Sequence, residues 1–466
     1  MLFNSYLFVL LFMPLVIAAW WSLARWPQFR LGFLVASSFV FYGWSHWEFT
    51  LLLLASTLID YNVGLGIYRA STKRLKGLYL SVSLISNLGM LGYFKYCGFF
   101  AESLNGILEA LRYGSPLLVP EILLPVGISF YTFQTLTYSI DLYRGEVQPA
   151  RSLMHFAAYV SMFPQLIAGP IVRYSDIESQ MRELGRRPDW NQVAQGVWFF
   201  VMGMSQKILI ADTVAKTAVS LLAEPENLQL VSGWVALVAY SIQLYFDFAG
   251  YSNMAIGLGL MLGFSFPQNF DSPYKASSIQ NFWRRWHMTL SSFLRDYLYI
   301  PLGGNRRGRW FSYRNLLIVM LLGGLWHGAG WTFILWGLLH GCLLVANGLY
   351  RDHIKIPVPK LLGVTITFLC VMMGWLLFRS TDLQMATQWY AAIFGMRGLE
   401  ADLGWNALTS TGFAVAIAAL LFCWLAPNTS QFQPRPSLVT ALILSALLVF
   451  CILRFDAESP FLYFQF

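Results

Sequence analysis

Apolar runs cut by short polar and basic stretches repeat along the whole chain, near residues 5–24, 31–66, 76–96, 119–140, 152–172, 192–220, 229–264, 313–326, 329–349, 360–378, 407–426 and 436–453. A helix rises about 1.5 Å per residue, so about 20 apolar residues cross a hydrocarbon core of about 30 Å. The pattern predicts an all-α polytopic membrane protein with roughly 10 to 13 membrane segments. The first run lacks a basic flank and a small-residue cleavage site, so it reads as a retained span. Residues 31–66 hold Ser45 and His46 in their middle. Arg25 and Arg30 precede this stretch, and Arg69, Lys73, Arg74 and Lys76 follow it; keeping both clusters on one side requires two crossings. Asp60 would then approach the interface. Pro164 and Ala168-Gly169-Pro170 interrupt 152–172, and Gly323, Gly324, Gly328 and Gly330 link 313–326 to the next run. Freed backbone groups at membrane depth need protein or a wet cavity around them, so these breaks predict an internal cavity.

Residues 264–312 differ in kind, being too polar to span yet rich in aromatic rings. Within 281–300, Trp283, Trp286, Leu290, Leu294 and Tyr297 recur every three or four positions, which predicts one amphipathic helix on an interface or cavity rim. Asp271 or Ser272 would cap the helical turns that follow them. No linker, repeat or low-complexity tract divides the chain, so 1–466 reads as a single membrane-embedded domain.

Composition sharpens this picture. Of 466 residues, 57% are hydrophobic and 12% charged, about half the charge of a typical soluble domain. The net charge of +8 comes from clusters between spans, where positive residues retain cytoplasmic loops; it does not signal nucleic-acid binding. Cys97, Cys342, Cys370, Cys423 and Cys451 are scattered, which excludes a disulfide framework or CxxC site, and no His/Cys/Asp/Glu spacing suits a metal.

Candidate chemistry rests on few side chains. His327 stands among glycines in Gly323-Gly324-Leu325-Trp326-His327-Gly328-Ala329-Gly330. An imidazole with a pKa near 6.5 can accept a proton from a hydroxyl under acyl attack. The same histidine would also serve as a packing residue bonded to a neighbouring helix, with the glycines closing the contact. His287 falls on the apolar side of the expected amphipathic helix, as a pocket residue or a satisfied interface histidine. Asp247 interrupts an apolar run and needs a partner or a wet cavity, as a substrate or ion contact or as half of an ion pair. Asn269 and Asp271 precede the amphipathic stretch, and Arg284, Arg285 and their basic neighbours suit either donor phosphates or simple retention of the loop. No GxSxG, HExxH or GxxxxGK motif occurs. To this point a transporter fits almost as well as an enzyme.

The blocks Leu124-Pro125-Val126-Gly127-Ile128-Ser129-Phe130, Gln243-Leu244-Tyr245-Phe246-Asp247-Phe248, Phe282-Trp283-Arg284-Arg285-Trp286-His287 and Leu322-Gly323-Gly324-Leu325-Trp326-His327-Gly328 resemble the membrane-bound O-acyltransferase family, in its alginate O-acetylase-like bacterial branch. The resemblance covers most of residues 1–380. It implies a ring of tilted and broken helices around a central tunnel. It implies His327 as the catalytic histidine and His287 as a second one at the tunnel; Asn269, Asp271, Trp286, Arg284, Arg285 and Asp247 are the substrate-binding candidates that the residues themselves offer. The expected reaction moves an acetyl group from a cytoplasmic donor, acetyl-CoA, across a bacterial inner membrane toward periplasmic exopolysaccharide, most directly alginate. A periplasmic SGNH-type acetyltransferase is the expected relay partner, and no tightly bound cofactor is implied. Cellulose, peptidoglycan and, with D-alanyl transfer, teichoic acid stay open as acceptors.

Overall fold

In a computed structural model of the chain, the hydropathy breaks become helix ends. It describes all residues except 115, 400, 401, 433, 456–460 and 463–466, and among the described residues every regular element is helical. Among the described residues seven helices are long and apolar enough to cross a membrane: Phe8–Arg25, Glu48–Arg69, Lys73–Ala110, Trp190–Leu222, Leu230–Met261, Trp331–Ile354 and Lys360–Arg379. Leu78, Ile85, Leu361 and Leu425 point outward as lipid-facing side chains do. The chain is therefore a multi-pass membrane protein. Helices such as Thr411–Leu425 and Leu438–Ile452 are apolar but span 15 residues each, or about 22 Å at 1.5 Å per residue.

The described residues form two compact units, one comprising Met1–Phe200 with Met254–Pro267 and the other Val201–Asn253 with Gln268–Phe466. In the first, residues 31–66 resolve into two helices, Pro27–Tyr42 and Glu48–Arg69, which part at Gly43. Asp60 is packed inside the protein. It is fully buried, and its carboxyl oxygens accept from Ser83 Oγ at 2.5 Å and Asn87 Nδ2 at 2.7 Å, with Ser139 Oγ at 3.4 Å. Charge bookkeeping places a loop; it does not reveal that hydroxyls on two neighbouring helices can hold a carboxyl group inside. Where lipid removes the hydrophobic drive, such bonds are worth about 1 kcal/mol each in fastening Glu48–Arg69 to Lys73–Leu91 and Ile128–Arg144. Residues 119–127 are not helical; Gly127, at φ 77°, starts the Ile128–Arg144 helix with its Cα against the Leu166 carbonyl, where a Cβ would come within 2.9 Å of that oxygen.

In the second unit, Arg309–His327 and Trp331–Leu349 make a tight hairpin across the turn at residues 328–330. A Cβ on Gly324 would collide with the Phe333 carbonyl, and one on Gly337 with the Met320 carbonyl. The glycines thus serve packing and let the two backbones touch. Lys360–Arg379 lies along Trp331–Leu349. Residues 281–300 depart from the expected single amphipathic helix. Ile279–Trp283 and Met288–Leu294 are separate short helices joined by a turn at residues 284–287, and a wide turn at Arg295–Tyr299 follows. Trp283, Trp286, Leu290, Leu294 and Tyr297 are all buried. The apolar spacing was real, but it served a packed interior, and backbone bonds from Asp271 and Met288 interrupt the helix: Asp271 N–H donates to the Arg285 carbonyl and Met288 N–H to the Asn269 carbonyl.

Candidate active site

The break at residues 284–287 sets the geometry of His287. Its φ of 43° is left-handed, a strained state for a residue with a Cβ. Asn269 holds it there. The Asn269 side-chain oxygen accepts from Thr289 N at 3.3 Å and Thr289 Oγ1 at 2.9 Å and lies 3.0 Å from His287 Nδ1. Because a backbone N–H must donate, the amide oxygen faces this cluster, and His287 Nδ1 therefore carries the ring proton. Both Asn269 and His287 are fully buried. Burial pushes the His287 imidazole down to about 3, so the ring is neutral at physiological pH.

His327 is the last residue of the Arg309–His327 helix and is 4% exposed. Gly328 continues in an extended conformation, ending the hydrogen-bond ladder at the histidine. The His327 ring lies 6.4 Å from His287, 4.9 Å from Trp326, 5.0 Å from Trp336 and 5.3 Å from Phe378, centroid to centroid. Phe248 meets the His287 ring edge-on at 4.8 Å. Two imidazoles 40 residues apart in the chain thus share one buried aromatic cluster. A neutral imidazole in such a low-dielectric setting accepts a proton from a nearby hydroxyl without competing bulk water.

The other expected site residues divide. Trp286 is buried in the same cluster, 5.1 Å from Phe270 and 4.7 Å from Trp375. Arg285 donates through Nη1 to the Asp271 backbone oxygen at 2.9 Å and to its carboxylate at 3.2 Å, which clasps the loop carrying Asn269. Asp271 is therefore the partner of Arg285 and caps no helix; Ser272 precedes the Pro273–Lys275 turn without a side-chain cap bond, and Ser278 caps Ile279–Trp283. Arg284 is exposed. Asp247 is buried and faces Lys207 Nζ at 2.6 Å, which also meets Asp212 at 2.8 Å. The second Asp247 oxygen accepts from Leu462 N–H at 2.9 Å. Sequence reading missed Lys207 and Thr289. A lone lysine inside the apolar 192–220 run was the signal for the first; Thr289 carried none.

A family model for the membrane-bound O-acyltransferase family matches residues 46–386. The chain is similar to the probable alginate O-acetylase AlgI of Azotobacter vinelandii, with 39% identity over 508 residues covering 100% of each chain. It is similar to the probable alginate O-acetylase AlgI of Pseudomonas aeruginosa, with 42% identity over 439 residues, 94% of this chain and 83% of the other. It also resembles the peptidoglycan O-acetyltransferase of Helicobacter pylori, with 36% identity over 519 residues, 100% of this chain and 98% of the other.

Proposed function

Starting from the premise that this chain belongs to the membrane-bound O-acyltransferase family and is an acyltransferase, we propose that it takes an acetyl group from cytoplasmic acetyl-CoA and passes it across the bacterial inner membrane to an exopolysaccharide, alginate. A periplasmic SGNH-type acetyltransferase serves as the relay. His327 is the general base. The acceptor hydroxyl gives its proton to His327 as its oxygen bonds to the acetyl carbon. The carbon–sulfur bond then breaks, and the departing thiolate takes that proton, leaving an O-acetyl ester and a free thiol. His287, oriented by Asn269, positions the substrates beside it, with Trp286 as a wall; Arg284, Arg285 and Asp271 lie on the donor side.

The observation that carries this reading is the burial of His327 at a helix end, within one aromatic cluster with the oriented neutral His287. A base held about 3 Å from its hydroxyl contributes typically 10²- to 10⁴-fold. Purified protein given labelled acetyl-CoA and, separately, alginate oligomers, a peptidoglycan fragment and an SGNH-type partner tests it. His327→Ala should lose 10²-fold or more in transfer to the preferred acceptor while keeping its melting temperature. Transfer at the wild-type rate by folded His327→Ala removes the general-base role. Label appearing only on the peptidoglycan fragment removes the alginate assignment.

A further inference from the structure

Asn269 holds the His287 ring through a hydrogen bond, and Phe248 braces it by packing. Phe248 meets the imidazole edge-on at 4.8 Å and also touches Phe270 at 4.9 Å and Phe461 at 5.7 Å. Phe461 comes from far along the chain, yet it is 1% exposed and stacks on Tyr251 at 4.6 Å. Residues 248 and 251 are three apart, which puts them side by side on the Leu230–Met261 helix. Phe461 therefore lies across the helix face whose other ring contact is His287.

The next residue anchors it. Leu462 N–H donates to Asp247 Oδ2 at 2.9 Å inside the protein, and Asp247 Oδ1 faces Lys207 Nζ at 2.6 Å. A bond to an ionised acceptor is roughly twice as strong as one between neutral groups. Lys207 lies in the wide turn Gln206–Ala211, which packs tightly against Gly250: a Cβ there would come within 2.7 Å of the Gly203 carbonyl and 3.0 Å of Lys207 N. Asp247, Phe248 and Tyr251 thus grip Phe461-Leu462 together, the carboxylate taking the backbone and the two rings the side chain. Every one of these residues belongs to the second unit. Replacing a buried ion pair by apolar residues is often neutral or stabilising, so stability alone does not account for Lys207 and Asp247. The bond to Leu462 gives the pair a task.

We propose that Phe461 is a positioning residue for acyl transfer: anchored through Leu462 N–H to the Asp247–Lys207 pair, it fixes Phe248, and Phe248 fixes the His287 ring. The assignment rests on the role of His287 proposed above. Phe461 acts through Phe248 and not on the reacting atoms. It denies Phe248 the space to turn away; with that space open, the His287 ring loses its edge-on support and can swing about its bond to Asn269. A displacement of about 1 Å caused by a change far from the chemistry can cost about 10²-fold in rate.

Phe461→Ala tests this in the purified protein. We expect kcat to fall about 10- to 100-fold with KM for acetyl-CoA little changed. Phe461→Leu, which refills most of the space, should recover a good part of the loss. Magnetic resonance of protein carrying isotope-labelled histidine gives a readout that does not depend on activity, and His287→Phe identifies the His287 signals by their disappearance. In Phe461→Ala these signals should shift as the Phe248 ring moves, while those of exposed His46 stay in place. Melting temperature is measured for each variant. Should Phe461→Ala fail to fold, Leu462→Pro decides by the same two readouts, because it removes the N–H that Asp247 accepts and leaves the Phe461 ring in the chain. Wild-type kcat in the folded variant overturns the assignment. So does a fall in kcat with unmoved His287 signals, the result expected of an ordinary core residue. His287→Phe separates the two levels: if it keeps wild-type kcat, the role of His287 fails and takes this one with it, and if it is inactive while Phe461→Ala is fully active, only the role of Phe461 fails.

Discussion

Removing the positive charge from the Lys207 cluster should unfold the second unit, whereas removing one negative charge should not. Lys207 is 4% exposed at its side chain and lies between Asp247, 2% exposed, and Asp212, 19% exposed. Lys207→Met leaves two carboxylates facing each other with one of them sealed from water. Stripping the partner from a buried charge costs about 3–5 kcal/mol. Asp247→Asn is milder, because Lys207 keeps Asp212 and the amide oxygen still accepts from Leu462 N–H; the loss of one charge-assisted bond is worth about 1.5–3 kcal/mol. The double change Lys207→Met with Asp247→Asn should recover much of the single-lysine loss, since the remaining carboxylate, Asp212, reaches solvent.

Reversible unfolding in mixed micelles gives these three values, and a double-mutant cycle isolates the coupling. Acetyl transfer is measured on the folded fraction. The reasoning requires Asp247→Asn to keep its kcat within a few-fold. If Asp247→Asn is as stable as wild type and loses kcat 100-fold, Asp247 contacts substrate and the ion-pair account is wrong. If Lys207→Met costs less than about 1 kcal/mol, the cluster is hydrated and the burial argument fails.

Three further outcomes follow from the same geometry. Asn269→Leu strands the Thr289 N–H, the Thr289 hydroxyl and His287 Nδ1, so activity should fall at least tenfold together with a stability loss of about 2–5 kcal/mol, and Asn269→Asp should recover part of both; unchanged activity in Asn269→Leu would show that His287 needs no orienting partner. Because burial holds His287 at about 3 against about 6.5 in the unfolded chain, only the unfolded state takes up its proton as pH falls below 6.5, and stability should drop by about 2 kcal/mol between pH 6.5 and 5; His287→Phe should flatten that slope in a pH series of unfolding midpoints. Gly337→Ala, which drives a methyl into the Met320 carbonyl, should cost about 1–3 kcal/mol or more, whereas Gly77→Ala, with open space around its Cβ, should be neutral or stabilising in the same assay.

The hydropathy pattern made the all-helical membrane architecture legible because it depends on length and apolarity alone, and both are local. The break at residues 43–47 was legible too, since Ser45 and His46 interrupt an apolar run between two basic clusters. Residues 281–300 were not. Their three- and four-residue spacing is common to a surface helix and to a broken helix packed on all sides, and what decided between them, the backbone bonds to residues 269 and 271, lies more than ten positions upstream. Asp247 was visible as an anomaly, but its partner is 40 residues earlier, and only the packing of the Leu230–Met261 helix brings them together. His327 was conspicuous in its glycine setting.

The two site histidines share a property that explains their placement better than their spacing does. His327 ends a helix and His287 begins one, so each sits where the backbone ladder is interrupted. In lipid-spanning protein such interruptions are tolerated only where surrounding groups or a cavity answer the freed backbone, and a polar side chain at the same position uses the opening the break creates. His287 bears about 1–2 kcal/mol of left-handed strain, retained because three bonds to one Asn269 oxygen leave no alternative. Strain at His287 and interruption at His327 fall within one chain of touching rings in the second unit. In the same unit Lys207 and Asp247 answer each other. Substitutions that recover stability around these rings are the ones expected to cost transfer.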